Sequence, residues 1–263
     1  MSDIFDFQTG TAPLLISIPH LGHRIPDSQQ PLMTELGCRS GDTDWHLDRL
    51  YAFAQAMGAS VLAARYSRYV VDLNRPPNDE NLYPGQAKTG LCPTHTFDGQ
   101  ALYRDGRQDI TAAERAARRD RYWQPYHDQL QAELDRLQAV HGRVLLWEAH
   151  SIASVIPRLF DGKLPDLNIG TAGGASASAA IEQAIAAELA GSPYSYAING
   201  RFKGGYITRH YGNPAKHIHA VQLEMCQSTY MDEQFPYAWH DTEARRVTAV
   251  VQQLVNAAYR ALP

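Results

Sequence analysis

Val144-Leu145-Leu146-Trp147-Glu148-Ala149-His150-Ser151 is the stretch that decides how this chain is read. Four apolar residues run unbroken into an acid, a small residue, a histidine and a serine. Such a run fits a strand buried on both faces, in the middle of an α/β sheet. Open α/β sheets bind ligands beyond the carboxyl ends of their strands, so His150 is expected at the active edge. The plainer alternative is a core histidine satisfied by a neighbour, and the rest of the chain has to choose between them.

Working outward, Pro13-Leu14-Leu15-Ile16-Ser17-Ile18 reads as a second buried strand. It delivers Pro19-His20-Leu21-Gly22-His23 at its end, with Gly22 permitting a tight turn. Residues 59–64 read as a strand, as do Tyr69-Val70-Val71-Asp72-Leu73, which run into Asn74-Arg75-Pro76-Pro77. Ala220-Val221-Gln222-Leu223-Glu224-Met225-Cys226 alternates, with Gln222, Glu224 and Cys226 on one face. Residues 166–171 fit a short strand, and residues 194–212 fit two short strands around glycine turns.

Helices are expected between these strands. Asp42 or Thr43 caps one that carries Leu47, Leu50, Phe53, Ala54 and Met57 and closes at Gly58. Asp44 and His46 fall in its first turn, where an acid ordinarily complements the helix dipole. Thr111-Ala112-Ala113-Glu114 is a capping box, and Pro125 breaks or kinks the helix that follows. Leu130, Leu134, Leu137 and Val140 recur at helical spacing as core, as do Val247, Val250, Val251, Leu254, Ala258 and Leu262. An alanine-rich helix spans 176–190. The glycines before it, Gly170, Gly173 and Gly174, lack the lysine of a phosphate loop. Residues 81–106 form a long loop without period, the kind that often serves as a lid. The alternation of strand and helix implies one α/β domain over residues 1–263.

Composition narrows the function classes. The 263 residues are 44% hydrophobic, and 24 Lys+Arg against 28 Asp+Glu leave a net charge of -4, so no basic footprint for nucleic acid is present. No apolar run approaches the roughly 20 residues of a membrane span. Three widely spaced cysteines form neither a disulfide framework nor a Cys-x-x-Cys site, and the N-terminus has no signal-peptide pattern. A cytoplasmic protein is the expectation.

The polar residues that strands deliver are His20, Asn74, Arg75, His150 and Glu224, and Asp44 lies at a helix start. Two histidines and a carboxylate, with a position left for water, make a catalytic zinc set, and zinc lowers the pKa of such a water to about 7. A glutamate free of the metal can then move protons. Glu224 suits that work, because a carboxylate in an apolar strand is costly unless paired or functional. Arg75 could polarise a carbonyl or bind a carboxylate. Arg201, Lys203 and Arg209, set among glycines, could hold a carboxylate or be ordinary surface charges.

Six motifs together resemble the N-formylglutamate amidohydrolase family. They are Pro19-His20-x-Gly22, Asp42-x-Asp44-Trp45, Val71-Asp72-Leu73-Asn74-Arg75, Trp147-Glu148-Ala149-His150-Ser151, Phe202-Lys203-Gly204-Gly205-Tyr206-Ile207-Thr208 and Gln222-Leu223-Glu224. The match runs in order from about residue 12 to 230. The resemblance implies a three-layer α/β/α fold with a mixed, mostly parallel sheet, as in zinc carboxypeptidases and phosphorylase/hydrolase-like proteins.

It also implies zinc, or another divalent ion, on His20 and His150. The third ligand is acidic, and Asp44 is the choice, with His23 and His46 as alternatives. Glu148 stands where the family pattern has aspartate, and it is assigned to orient His150 or an adjacent loop. Glu224 matches the general base. The implied reaction is hydrolysis of N-formyl-L-glutamate to L-glutamate and formate, the last step of one route of histidine degradation. Two substrate carboxylates call for cations, with Arg75, Arg201, Lys203 and Arg209 as candidates beside Asn74. Other readings are hydrolysis of another N-acyl amino acid, a nucleophile at Ser151 or Cys226, and a metal-free dicarboxylate-binding protein. The oligomeric state is left open.

Overall fold

The computed structural model describes residues 3–80 and 89–263. Its strands are β1 (Phe5–Gln8), β2 (Leu14–Ile18), β3 (Ser60–Ala64), β4 (Val144–Ile152), β5 (Leu167–Gly170), β6 (Tyr196–Ile198) and β7 (Ile218–Cys226). They form one sheet in the order β1-β3-β2-β4-β7-β5-β6. The four inner strands β3, β2, β4 and β7 are parallel. β1 on β3 and β5 on β7 are antiparallel, and β6 lies parallel to β5. All nine residues of β4 are buried, as its apolar run requires of a central strand.

The helices are α1 (Glu35–Arg39), α2 (Leu47–Leu50), α3 (Ala112–Arg118), α4 (Gln124–His141), α5 (Ala179–Ala190), α6 (Tyr206–Tyr211) and α7 (Asp241–Arg260). Strand alternation sorts them into layers. Leu145, Trp147, Ala149, Val221 and Leu223 pack with Ile181 and Ile185 of α5 and Val247, Val251 and Leu254 of α7. Leu15, Leu62, Leu146 and Ala220 pack on the other face with Leu130, Leu134 and Leu137 of α4. Burying each of these valine, leucine and isoleucine side chains contributes roughly 1.5–3 kcal/mol. The fold is therefore the expected three-layer α/β/α sandwich with a mixed, mostly parallel sheet.

Several local expectations are corrected. Residues 69–73 are turn and irregular backbone, with no ladder. Side chains and loop backbone satisfy this segment instead. Arg118 donates to Val70 O, Asp72 N–H donates to Leu91 O, and Asn74 N–H donates to the Asp72 carboxylate. An apolar run can thus be buried without a strand when other donors and acceptors meet its backbone. Residues 206–211 form α6, not a strand, because Ile207 and Tyr211 fall one helical turn apart and both are buried. The helix expected from Asp42 to Gly58 is only α2 followed by a 3-10 turn at Ala52–Ala54. His46, left-handed at φ 63°, starts α2, so Asp44 lies ahead of the helix and not in its first turn. Pro125 breaks no helix: it sits in the first turn of α4, which the chain enters from a π turn, Arg119–Trp123.

Thr111 caps α3 as expected, its hydroxyl accepting from Glu114 N–H. β1 was not foreseen, since a short edge strand of alternating exposure resembles any polar terminus.

Candidate active site

β4 and β7 run in register for nine residues, pairing Glu148 with Gln222 and His150 with Glu224. These four share parity with Leu146 and Ala220, so they sit on the sheet face covered by α4 and α6. His20 follows β2 directly, and Asp44 is brought over it by a backbone bond from Asp44 N–H to His20 O, 3.0 Å. Gly22 serves less as a turn than as a close approach, because a Cβ there would lie 2.3 Å from Tyr66 O.

His20, Asp44 and His150 converge, with one donor atom of each lying within 4.8 Å of the others. Asp44 Oδ2 is 3.0 Å from His150 Nδ1 and 3.7 Å from His20 Nδ1. Ligand atoms around a tetrahedral ion with bonds of about 2.1 Å lie about 3.4 Å apart, and the two Asp44 spacings bracket that value. His20 Nδ1 and Asp44 Oδ1 are buried without a hydrogen-bond partner. Leaving such atoms unmet costs about 1–3 kcal/mol each, which a cation on that side would remove. The donor set therefore fits a divalent ion, with Asp44 in the acidic place. His23 is exposed and stacks on Trp45, and His46 Nε2 is held 2.8 Å from Tyr237 O, so neither joins the group.

The far nitrogen of each histidine meets a carboxylate. His20 Nε2 lies 2.7 Å from Asp72 Oδ1, and His150 Nε2 lies 2.6 Å from Glu148 Oε1. Such carboxylates fix the tautomer that turns Nδ1 toward a metal. Burial works against the Asp72 charge, but Arg68 and His20 outweigh it and hold the carboxyl well below its usual range. Arg68 donates to Asp72 at 2.6 Å and lies 4.5 Å over the Phe97 ring. The other oxygen of Glu148 accepts from Thr208 N–H, 3.0 Å, and from the Thr208 hydroxyl. Burial opposes a charge on His150, yet Glu148 and Asp44 raise its pKa well above the usual value. The surroundings of His150 thus favour positive charge, which a divalent ion held here would supply.

Glu224 is buried beside the group, and burial together with Asp44 pushes its pKa up to about 8 against the opposing pull of His150. A cation close by reverses this balance and favours the carboxylate. The cleft over the group holds ≈ 100 Å³. Arg68, Arg75 and Arg201 line it with Phe97, Leu159 and Phe202. A larger groove of ≈ 830 Å³, along Arg24, Gln30 and Tyr122, contains neither histidine.

The N-formylglutamate amidohydrolase family profile matches residues 12–231. The chain belongs to this family. It is 50% identical to the N-formylglutamate deformylases of Pseudomonas putida, over 260 residues, and Pseudomonas aeruginosa, over 258. Each alignment covers 98% of this chain and 96% of the relative. An N-formylglutamate amidohydrolase structure from Ralstonia eutropha shares the fold, with TM-score 0.80 at 24% identity and 98% of both chains covered. A gene product of Agrobacterium tumefaciens does so with TM-score 0.74 at 18% identity, covering 98% of this chain and 95% of its own.

In this amidohydrolase the six motifs meet, but not every expected cation reaches the cleft. Asn74, Arg75 and Arg201 line it. Lys203 and Arg209 are exposed and are not among its lining residues. Glycine density around them reflects packing: a Cβ at Gly205 would lie 2.3 Å from Asn74 Nδ2. Arg68 and Asp72 were given no role from sequence. Asp72 stood inside a motif beside Asn74, but Arg68 showed only as a cation in an apolar stretch. Neither alternative nucleophile is activated. The Ser151 hydroxyl lies 2.7 Å from Tyr230 Oη, and burial pushes the Cys226 thiol up to about 12. The described part of the 81–106 loop supplies Thr89 and Phe97 to the cleft; the lid expectation for 81–88 lies outside the described residues.

Proposed function

We propose that this protein hydrolyses N-formyl-L-glutamate to L-glutamate and formate, with a divalent ion, zinc by preference, on His20, Asp44 and His150. The observation that carries this is the unmet Nδ1 of His20 and Oδ1 of Asp44 beside His150 and Glu224, in a family whose members at 50% identity bear the deformylase name. The ion would supply Lewis acidity that makes water nucleophilic at neutral pH.

The chain's own residues supply the rest. Glu224 accepts a proton from the attacking water and returns it to the amine nitrogen as the C–N bond breaks. Water's oxygen ends in formate, and the amine leaves as glutamate. Arg75 and Arg201 face the cleft with charges that suit the two substrate carboxylates, and Arg68 adds a third cation. The small cleft suits a formyl group over a bulkier acyl group.

We place the reaction at the end of histidine degradation, in the cytoplasm. Three unpaired cysteines support a reducing compartment, and no described helix is long and apolar enough to cross a membrane. The test is formate release from N-formyl-L-glutamate by the purified protein, before and after chelation and with zinc restored. Turnover that is lost on chelation and returns with zinc supports the reading. A zinc-loaded protein that releases no formate overturns it.

A further inference from the structure

We propose that Trp123 and His127 are positioning residues, forming a stacked ring clamp that sets Asn74 and Arg75 for substrate binding; this rests on the function proposed above. Residues 73–75 have no strand partner, yet all three of their carbonyls are met by side chains. His127 Nε2 lies 2.9 Å from Leu73 O, Arg75 Nη1 donates to Asn74 O at 3.0 Å, and Trp123 Nε1 donates to Arg75 O at 3.0 Å. The two outer donors come from rings that stack on each other, with centroids 3.7 Å apart and planes 20° apart.

The clamp fixes its own protonation. A carbonyl only accepts, so His127 Nε2 carries the hydrogen. Nδ1 is then an acceptor, and the Tyr211 hydroxyl donates to it at 2.8 Å. Burial pushes the His127 pKa down to about 3, so the ring stays neutral through the physiological range. Trp123 ends the π turn, and His127 lies four residues on, in α4, so one helical face presents both rings. π turns inside helices recur at functional sites.

What the clamp holds is the residue between the two outer carbonyls. Asn74 Nδ2 is 3.0 Å from His150 Nε2, and Asn74 Oδ1 accepts from Ile207 N–H at 2.9 Å. The Arg75 guanidinium lines the cleft and also donates to Thr89 O at 2.9 Å. A backbone shift at 73–75 would therefore move the Arg75 guanidinium directly, whereas it reaches His20 and His150 only through the Asp72 and Asn74 side chains, the backbones of His20 and His150 being set by β2 and β4 and that of Asp44 by its bond to His20 O.

Trp123→Phe keeps a ring for stacking but loses the N–H. His127→Leu loses both functions, and His127→Gln restores a donor near the Nε2 position. Trp123→Phe and His127→Leu are expected to raise KM for N-formyl-L-glutamate about tenfold with kcat within about twofold, as for one lost hydrogen bond expressed in ground-state binding. Bound metal stays at the wild-type level, and His127→Gln returns KM to within about threefold.

Wild-type KM in Trp123→Phe, or a joint fall of kcat, metal content and melting temperature, overturns the proposal. Nitrogen NMR of the resting, ¹⁵N-labelled protein reads the clamp without substrate. It should show His127 neutral with hydrogen on Nε2 down to about pH 5. A hydrogen on Nδ1, or a charged ring, refutes the clamp even if the functional reading stands. The expected tautomer in a protein without turnover leaves the clamp's geometry intact and refutes the functional reading, and with it the substrate-positioning role.

Discussion

His150 and Glu224 are register partners on the adjacent parallel strands β4 and β7, so the candidate metal ligand and the candidate base share one face of the sheet. Neither loop motion nor helix packing is needed to bring them together. The ladder does it, and any variant that keeps the ladder keeps the pair.

Glu224→Gln is accordingly expected to keep the fold and the bound metal while losing about 10²–10⁴-fold in kcat, the usual contribution of a positioned proton acceptor. Steady-state formate release with parallel metal analysis checks this. Retained kcat would remove Glu224 from proton transfer.

Glu148→Gln and Asp72→Asn each leave the three donor atoms in place but weaken the partner that sets a histidine tautomer. Metal affinity should fall about 10–100-fold in each. Competition with a fluorescent chelator measures it, and unchanged affinity would mean that the ligand tautomers are fixed elsewhere.

The metal-free protein should lose stability as pH rises. Burial and Asp44 push Glu224 up to about 8 from the usual 4.5 of a glutamate, so the fold favours its protonated form, and its penalty grows between those values. His150 is raised well above 6.5, so its contribution is present below that value and lost as pH passes through the folded one. Both slopes have the same sign. Between about pH 6 and about pH 9 the chelated protein should fall by roughly 5 °C or more relative to the zinc-loaded protein. Paired thermal melts across that range test it, and a constant gap contradicts it.

Arg201 and Lys203 offer a contrast within one segment, since only the first lines the cleft. Arg201→Ala should raise KM about 10–100-fold, as for a lost charged hydrogen bond, and Lys203→Ala should change it less than about twofold. Equal effects would mean that the cleft as drawn does not bound the substrate.

How much could be read beforehand differs by element. β2, β4 and β7 stood out because continuous or alternating apolar residues bounded by polar ones have few other solutions. The helices α4 and α7 stood out by their spacing. The segment 69–75 misled, because burial produces the same apolar composition whether the backbone is met by a strand or by Arg118, His127 and Trp123. Residues 206–211 misled because the flanking glycines suggested turns, whereas Gly205 is needed for Asn74 to approach. His20, His150 and Glu224 were visible as polar endings of apolar strands. Arg68 and the ring pair were not, since each acts through a contact distant in the chain.

The sequence by itself determined the class of the fold, the strands that carry the chemistry and, through six ordered motifs, the family. These depend on local periodicity and residue identity, which a linear chain displays. Only the tertiary structure decided that Asp44, and not His23 or His46, meets the two histidines, that Arg201 reaches the cleft while Lys203 does not, and that Asp72 holds the far nitrogen of His20. Those choices depend on which way a side chain faces after the backbone has turned, as at left-handed His46, and that direction is set by packing between segments far apart in sequence.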